Sequence, residues 1–118
     1  MSISLKDVQL DIEKQLQNSK WFLYPEKSFL EEGRDLAHAV TGLNEEAGEV
    51  GGLLKKQIFR HKEKTDDEWK SELGDVLWYL MAVATLKNLD IEDIWKYNCD
   101  KLDKRRKTGM KGKNTWEG

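Results

Sequence analysis

Hydrophobic residues recur at helical spacing in four successive stretches of the chain. In the first stretch the apolar positions lie three or four residues apart, and they are Leu5, Val8, Ile12 and Leu16. This spacing predicts an amphipathic helix. Ser4 and Asp7 resemble a capping box at its start, with Asp in place of the usual Glu.

The second stretch predicts a long helix from about Arg34 to Arg60. Its apolar stripe has the near-heptad spacing of a helix-packing surface and consists of Leu36, Val40, Leu43, Ala47, Val50, Leu54 and Ile58. The glycines inside this helix are Gly42, Gly48, Gly51 and Gly52. Because each glycine costs about 1 kcal/mol relative to alanine in a helix interior, they indicate close approach of another helix, a bend, or space for a ligand.

The segment between these two helices, from Trp21 to Gly33, has a less regular pattern. Its aromatic residues are Trp21, Phe22, Tyr24 and Phe29. We expect aromatic side chains in such a segment to dock on the core, and the alternative is a lid or wall for a flat ligand.

The third and fourth stretches predict two further helices. Thr65 and Glu68 form a capping box that opens the third helix, and Asp90 is a suitable N-cap for the fourth. Short connections between four helices predict an all-α, antiparallel four-helix bundle whose two long central helices carry the acidic motifs. We expect a single domain over residues 1–107 and a flexible, basic tail over residues 108–118.

Composition narrows the class of protein further. The 118 residues suit one domain, and 20 basic against 22 acidic residues leave a formal net charge of −2. This balance argues against a general nucleic-acid binder, although basic residues cluster between Lys101 and Lys113. No apolar stretch is long enough to cross a bilayer, so no membrane association is expected. The single Cys99 excludes an internal disulfide and fits a reducing, cytoplasmic compartment.

Acidic residues are paired on the two central helices. Glu46 and Glu49 lie three residues apart on one helix, and Glu72 and Asp75 have the same spacing on the next. On a helical wheel both pairs flank the apolar stripe on the same rotational side, and such flanks face each other in an antiparallel helix pair. The axial match is imperfect, by about 9 Å for ideal straight helices.

Converging carboxylates require a compensating cation, because they cannot all stay ionised without one. Ligands that are all oxygen favour Mg²⁺, Mn²⁺ or Ca²⁺ over Zn²⁺, and Mg²⁺ is our preferred interpretation because the acids lie on helices and not in a calcium-binding loop. The alternative is a solvated acidic face. A di-iron bundle is set aside, because neither His38 nor His61 follows a Glu at the required spacing.

Three segments of the chain resemble the MazG-like nucleoside triphosphate pyrophosphohydrolases. They are Gly42 to Val50 (GLNEEAGEV), Glu72 to Tyr79 (ELGDVLWY) and Asn98 to Leu102 (NCDKL). The family is all-α, with a Glu-x-x-Glu helix followed by a Glu-x-x-Asp helix. The resemblance implies a hydrolase that converts a nucleoside triphosphate to its monophosphate and pyrophosphate, with a role in nucleotide-pool housekeeping.

The resemblance also implies roles for individual residues. The implied Mg²⁺ ligands, with Mn²⁺ as a possible substitute, are Glu46, Glu49, Glu72 and Asp75. The catalytic candidates that would take a proton from water are Glu45, Glu46 and Glu49, and the sequence does not choose among them. The implied contacts to phosphate are Asn98, Lys101 and Arg105. Tyr79 and Lys56 are further candidates for substrate binding by their spacing from the acids, and His38 is a candidate independently of the resemblance.

The resemblance ends soon after Arg105. Many members continue with Tyr-Pro and a Gly-Phe pair, whereas this chain continues with the residues RKTGM. Two other functions stay open at this point: a non-catalytic helical bundle that binds a nucleotide or a partner, and a phosphoribosyl-ATP pyrophosphohydrolase. The short chain and its two-sided long helix predict a homodimer or a homotetramer, because one face is available for another subunit.

Overall fold

The computed structural model describes residues 2–25 and 28–109, and within these ranges the regular structure is entirely α-helical. The helices are α1 (Leu5–Asn18), α2 (Phe29–Phe59), α3 (Asp66–Leu86) and α4 (Ile91–Lys107). Helix α3 packs on both α2 and α1, and α1 also contacts α4. The all-α bundle with two long central helices is therefore confirmed. The predicted tail lies outside the described residues from position 110 onward.

Side-chain caps begin each of these helices. At α1, Ser4 and Asp7 satisfy each other's backbone N–H groups, and Thr65 and Glu68 do the same at α3. The carboxylate of Asp90 accepts the N–H of Glu92 at 2.7 Å at the start of α4. Caps of this kind contribute about 1 kcal/mol each. The predicted positions of these three caps are confirmed.

Helix α2 begins at Phe29, five residues before the predicted start at Arg34, so the expected irregular segment is shorter than predicted. The hydroxyl of Ser28 accepts the N–H of Glu31 at 3.2 Å and starts the helix there. The buried carboxylate of Asp35 then accepts the N–H of Leu23 with both oxygens, at 2.9 and 3.0 Å. This long-range bond holds the connecting segment against the first turns of α2.

The aromatic residues before α2 divide into docked and exposed side chains. Phe22 is buried in the core, and the half-buried Tyr24 donates its hydroxyl to the Glu13 carboxylate at 2.5 Å. Trp21 and Phe29 are largely exposed. Core docking therefore holds for Phe22 and Tyr24. The buried core they join lies between α1, α3 and the first half of α2, and it consists of Ile12, Leu16, Phe22, Ala39, Met81, Ala82 and Ile91.

The near-heptad stripe of α2 is not the face that the helix buries within its own chain. Val40, Leu54 and Ile58 from this stripe are 41%, 44% and 52% exposed. The buried face instead contains Asp35, Ala39, Gly42 and Leu53. It is rotated by about 100° from the stripe on a helical wheel. Small side chains explain why this face of α2 is buried, because they allow α3 to approach the α2 backbone closely, as it does at Gly42.

None of the helices in the described ranges combines the length and the apolar character that crossing a bilayer would need.

Candidate metal centre between helices α2 and α3

Three carboxylates meet where α2 packs on α3. Glu46 comes from α2, and Glu72 and Asp75 come from α3. Each offers one oxygen, and these oxygens all lie within 4.8 Å of one another. Glu46 reaches this position because it lies one turn after Gly42, on the face of α2 that contacts α3. The antiparallel packing thus brings together three of the four acids that the sequence singles out.

Glu49, the fourth acid, is exposed and lies outside this group of three. It is still close enough for its charge to act on Glu46. The acids of α2 and α3 match along the helix axes better than the ideal straight helices of the sequence analysis predict, and the register of the two helices explains this. Gly42 lies opposite Tyr79, so positions four residues further along α2 lie opposite positions four residues earlier on α3. This pairs Glu46 with Asp75.

Electrostatic repulsion inside the group is visible at Glu46. Partial burial is the largest cause that raises the pKa of its carboxyl above the ordinary value. The charge of Asp75 and a side-chain hydrogen bond with it follow, and then the charges of Glu72 and Glu49. Each of these causes disfavours the ionised form of Glu46. A cation placed among the three carboxylates would offset the repulsion between their charges.

The donor set fits a hard divalent cation. All three groups are carboxylates, and Mg²⁺ or Mn²⁺ prefers such oxygen ligands, whereas a zinc site would use His or Cys. Two of the carboxylates are half-buried and the third is exposed, which leaves one side open to water and to a substrate. Exposed acids also cluster without a metal, so the three residues are a candidate centre that could bind one.

Tyr79 lies beside the acids, one turn after Asp75 on α3. Burial first raises the pKa of its hydroxyl, and the charges of Glu46, Glu45 and Asp75 add to the effect. The structure therefore brings the predicted residues Tyr79 and Glu45 into the electrostatic surroundings of the three carboxylates. Glu45 itself is exposed.

A chain of aromatic contacts connects this region to His38. The His38 ring stacks on Phe22 with centroids 4.3 Å apart, and Phe22 lies 5.9 Å from Trp78. Trp78 in turn contacts the Tyr79 ring edge-on at 5.1 Å. The Nδ1 atom of His38 lies 3.2 Å from the carbonyl oxygen of Trp21. His38 is thus held by packing, and aromatic rings separate it from the acids.

The predicted cations lie further from the three carboxylates. Lys56 is near the start of α3. The pKa of Glu68 is lowered, mainly by the backbone N–H of Thr65, and the charges of Lys64 and Lys56 contribute to this. Glu68 lies one turn before Glu72, which places Lys56 at the edge of the site.

The α4 candidates share two open grooves. Asn98 and Lys101 line an apolar groove of about 400 Å³ between α3 and α4. Lys101 and Arg105 line a second groove of about 480 Å³ along α4. Helix α4 packs mainly on α1, whereas the charges that act on Glu46 and Tyr79 come from α2 and α3. The α4 residues are therefore grouped with one another and not with the acids.

Gly42 belongs to the site, although the sequence did not distinguish it from Gly48, Gly51 and Gly52. Its buried backbone lies against the Tyr79 ring, whereas Gly48, Gly51 and Gly52 have open space around them. Close approach of another helix, one of three reasons considered for the glycines, therefore holds for Gly42. The available signal was its position one turn before Glu46.

Comparison with known proteins places the chain in a family. Residues 30–110 match the family model described as the MazG nucleotide pyrophosphohydrolase domain. The chain therefore belongs to the MazG nucleotide pyrophosphohydrolase family, and the matched region contains the acidic residues of both central helices.

One curated relative is the gene 37 protein of Mycobacterium phage L5. It is 30% identical over 101 residues, which cover 81% of this chain and 88% of the relative. The name of that protein states no activity. No solved structure gives a significant match to the chain.

Proposed function

We propose that this protein hydrolyses a nucleoside triphosphate to the monophosphate and pyrophosphate, in the presence of Mg²⁺. The observation that carries the proposal is the meeting of the Glu46, Glu72 and Asp75 oxygens within 4.8 Å between two helices. Membership of the MazG nucleotide pyrophosphohydrolase family supports the same reaction class. Mn²⁺ is expected to substitute, because it accepts the same oxygen donors.

In this proposal Glu46, Glu72 and Asp75 hold the cation, and Glu49 completes the set. When bound, the cation neutralises phosphate charge and polarises the phosphorus under attack. The reaction attaches a water oxygen to the α-phosphorus and breaks the bond to the oxygen that bridges to the β-phosphorus, so that pyrophosphate leaves. Glu45 and Glu49 flank Glu46 and are both exposed, so either is suited to accept the proton of the attacking water.

Substrate binding is proposed for polar residues on α2, α3 and α4, of which Tyr79 lies beside the acids. We expect the Tyr79 hydroxyl, which lies within reach of the charges of Glu46 and Asp75, to contact sugar or phosphate. Lys56 at the edge of the site, and Lys101 and Arg105 on α4, supply cations for phosphate oxygens. Two further contacts, to the base or sugar, are proposed for Asn98 and His38.

We also propose that two copies of the chain associate through an outer apolar face. This face is formed by residues that are each at least 40% exposed: Val40, Leu54 and Ile58 on α2, and Leu73, Leu77 and Leu80 on α3. On a helical wheel the two rows lie on the same side of the antiparallel α2–α3 pair, so they form one surface. A contiguous apolar surface marks an interaction site.

A second copy of the chain is the partner that this surface fits. The α2 row belongs to a near-heptad stripe, which is the pattern by which helices pack against one another in bundles. Two such surfaces related by a twofold axis would cover each other. We propose a homodimer as the basic unit, and a homotetramer would be a pair of such dimers.

Incubation with a panel of nucleoside triphosphates, modified nucleotides and phosphoribosyl-ATP tests the reaction. With Mg²⁺ present, at least one substrate should yield its monophosphate together with pyrophosphate. Glu72→Gln and Asp75→Asn should abolish turnover, whereas Glu63→Gln, a change in the exposed α2–α3 connection, should not. Binding of a nucleotide without turnover in Mg²⁺ or Mn²⁺ would overturn the proposal and favour a non-catalytic binding bundle.

A further inference from the structure

One close contact between α2 and α3 involves a residue without a side chain. A Cβ atom added to Gly42 would lie 2.6 Å from both Cδ1 and Cζ of Tyr79. Real Cβ contacts essentially never fall below 3.0 Å, so alanine at this position requires something to move. Around Gly48, on the same helix, no such atom lies within 4 Å.

This contact lies directly beside the three carboxylates. Gly42 is one helical turn before Glu46, and Tyr79 is one turn after Asp75, on helices that run in opposite directions. The Gly42–Tyr79 contact and the Glu46–Asp75 pair are therefore neighbouring levels of one helix–helix interface. A change in helix separation at the first level is transmitted to the second, because both helices are continuous through the site.

The Tyr79 ring has little room to retreat from an added methyl group. It is half-buried, and the edge of Trp78 lies against it with the ring planes at 73°. Trp78 is itself held, because its Nε1 donates to Gln15 on α1 at 2.7 Å and its ring contacts Phe22. The relief available to the clash is thus a shift of α2 relative to α3.

We propose that Gly42 is a positioning residue of the metal centre. The Tyr79 ring packs directly against the Gly42 backbone. This packing sets the distance between the Glu46 carboxylate on α2 and those of Glu72 and Asp75 on α3. This role of Gly42 rests on the proposed metal site. It adds to the three acids a packing contact that sets their separation.

Two alanine variants on the same helix test this role. Gly42→Ala and Gly48→Ala bring the same gain in helix propensity, but only the first places a methyl group against Tyr79. Mg²⁺ affinity is measured by calorimetric titration at a temperature where both variants are folded. Gly42→Ala should weaken Mg²⁺ binding by about tenfold, in the range typical for residues that orient metal ligands. Gly48→Ala should bind Mg²⁺ as the parent does.

A double variant keeps the test decisive if Gly42→Ala unfolds. In a Tyr79→Ala background the ring is absent, so adding Gly42→Ala should change neither the Mg²⁺ affinity nor the cooperative melting of that background. The same loss with and without the ring would overturn the proposal. So would unchanged Mg²⁺ affinity in Gly42→Ala while the parent binds Mg²⁺. A parent that binds no Mg²⁺ would overturn the metal site itself, and the positioning role with it.

Discussion

The carboxyl groups of Glu46 and Asp75 are paired across the α2–α3 interface, and Asp75 is the strongest charge acting on Glu46. The pair joins the two acidic motifs of the chain. In the sequence, 28 residues lie between Glu46 and Asp75. The charge of Asp75 makes Glu46 harder to ionise. The site therefore carries uncompensated negative charge. This charge determines how the protein should respond to cations and to pH.

Addition of Mg²⁺ should stabilise the folded protein. A ligand at about 100 times its dissociation constant contributes about 2.7 kcal/mol, which corresponds to a rise of roughly 10 °C in Tm for a chain of this size. Thermal melting with and without Mg²⁺ measures the effect. Asp75→Asn and Glu46→Gln should reduce it strongly, and Glu63→Gln should preserve it. If millimolar Mg²⁺ or Mn²⁺ leaves the Tm of the parent unchanged, this result would contradict the proposed metal site.

In the absence of metal, Glu46→Gln should raise the Tm at pH 7 by a few degrees. The pKa of Glu46 is raised in the folded chain above its ordinary 4.5. The stability that protonated Glu46 contributes is therefore present below pH 4.5 and is lost as the pH rises through the pKa of the folded state. Ionised Glu46 consequently destabilises the folded chain at pH 7.

The gain from Glu46→Gln should consequently shrink as the pH is lowered towards 4. Melting curves in chelator-treated buffers between pH 4 and 7 follow this change. Glu63→Gln serves as the matched control and should show no such gain. An equal effect of Glu46→Gln at both ends of the range would count against the raised pKa of Glu46 as the cause.

Tyr24 predicts a separate change at alkaline pH. Burial, and then the hydrogen bond to Glu13 and its charge, raise the pKa of Tyr24 to about 12 from the ordinary 10.0. Because the folded chain retains this proton longer than the unfolded chain, stability is fully present below pH 10 and is lost as the pH rises towards 12.

Tyr24→Phe removes both the hydroxyl and its titration. At neutral pH we expect a loss of about 1 kcal/mol, or roughly 4 °C in Tm, because one hydrogen bond is lost. Between pH 10 and 12 the variant should lose less stability than the parent. Chemical denaturation across this range tests both effects. Tyr97→Phe, at a residue that is 73% exposed, is the control and should behave like the parent.

The outer apolar face predicts the oligomeric state. Glutamate at Val40 or Leu77, on the two rows of this face, should convert the dimer to a monomer, because it places a charge in a desolvated contact. Light scattering at micromolar concentration reports the mass. Glutamate at Leu89, which is also half-exposed but lies in the α3–α4 connection, should leave the dimer intact. A monomeric parent would contradict the proposed dimer.

Local sequence signals were sufficient for most of the fold. Capping residues such as Thr65 and Asp90 act within a few residues of their own position, so their effect can be read from the sequence. The start of α2 was missed although the cap of Ser28 on Glu31 is an equally local signal. The bond between Asp35 and Leu23 could not be read in this way, because only the folded chain brings these two residues together.

The orientation of α2 was the harder problem. Its near-heptad stripe gives the strongest periodic signal, but α3 contacts the face of Ala39 and Gly42, where side chains are small. A wheel drawn around the stripe still placed Glu46 on the correct side, because that acid lies on the buried face, within its half nearer to the stripe. Glu49 lies further round the helix, which explains why it is exposed and outside the group of three.

The connection from 60 to 65 carries none of the three carboxylates of the candidate metal centre, and both helices that it joins are long. Since Glu72 and Asp75 must share one face of α3, and Glu46 must follow Gly42 by one turn, the spacing inside each motif is fixed by helical geometry. The number of residues between the motifs is not fixed, because a longer connection could loop outward without changing the register. Chains that build the same centre can therefore vary in length between their two acidic motifs, while insertions within either motif would separate the ligands.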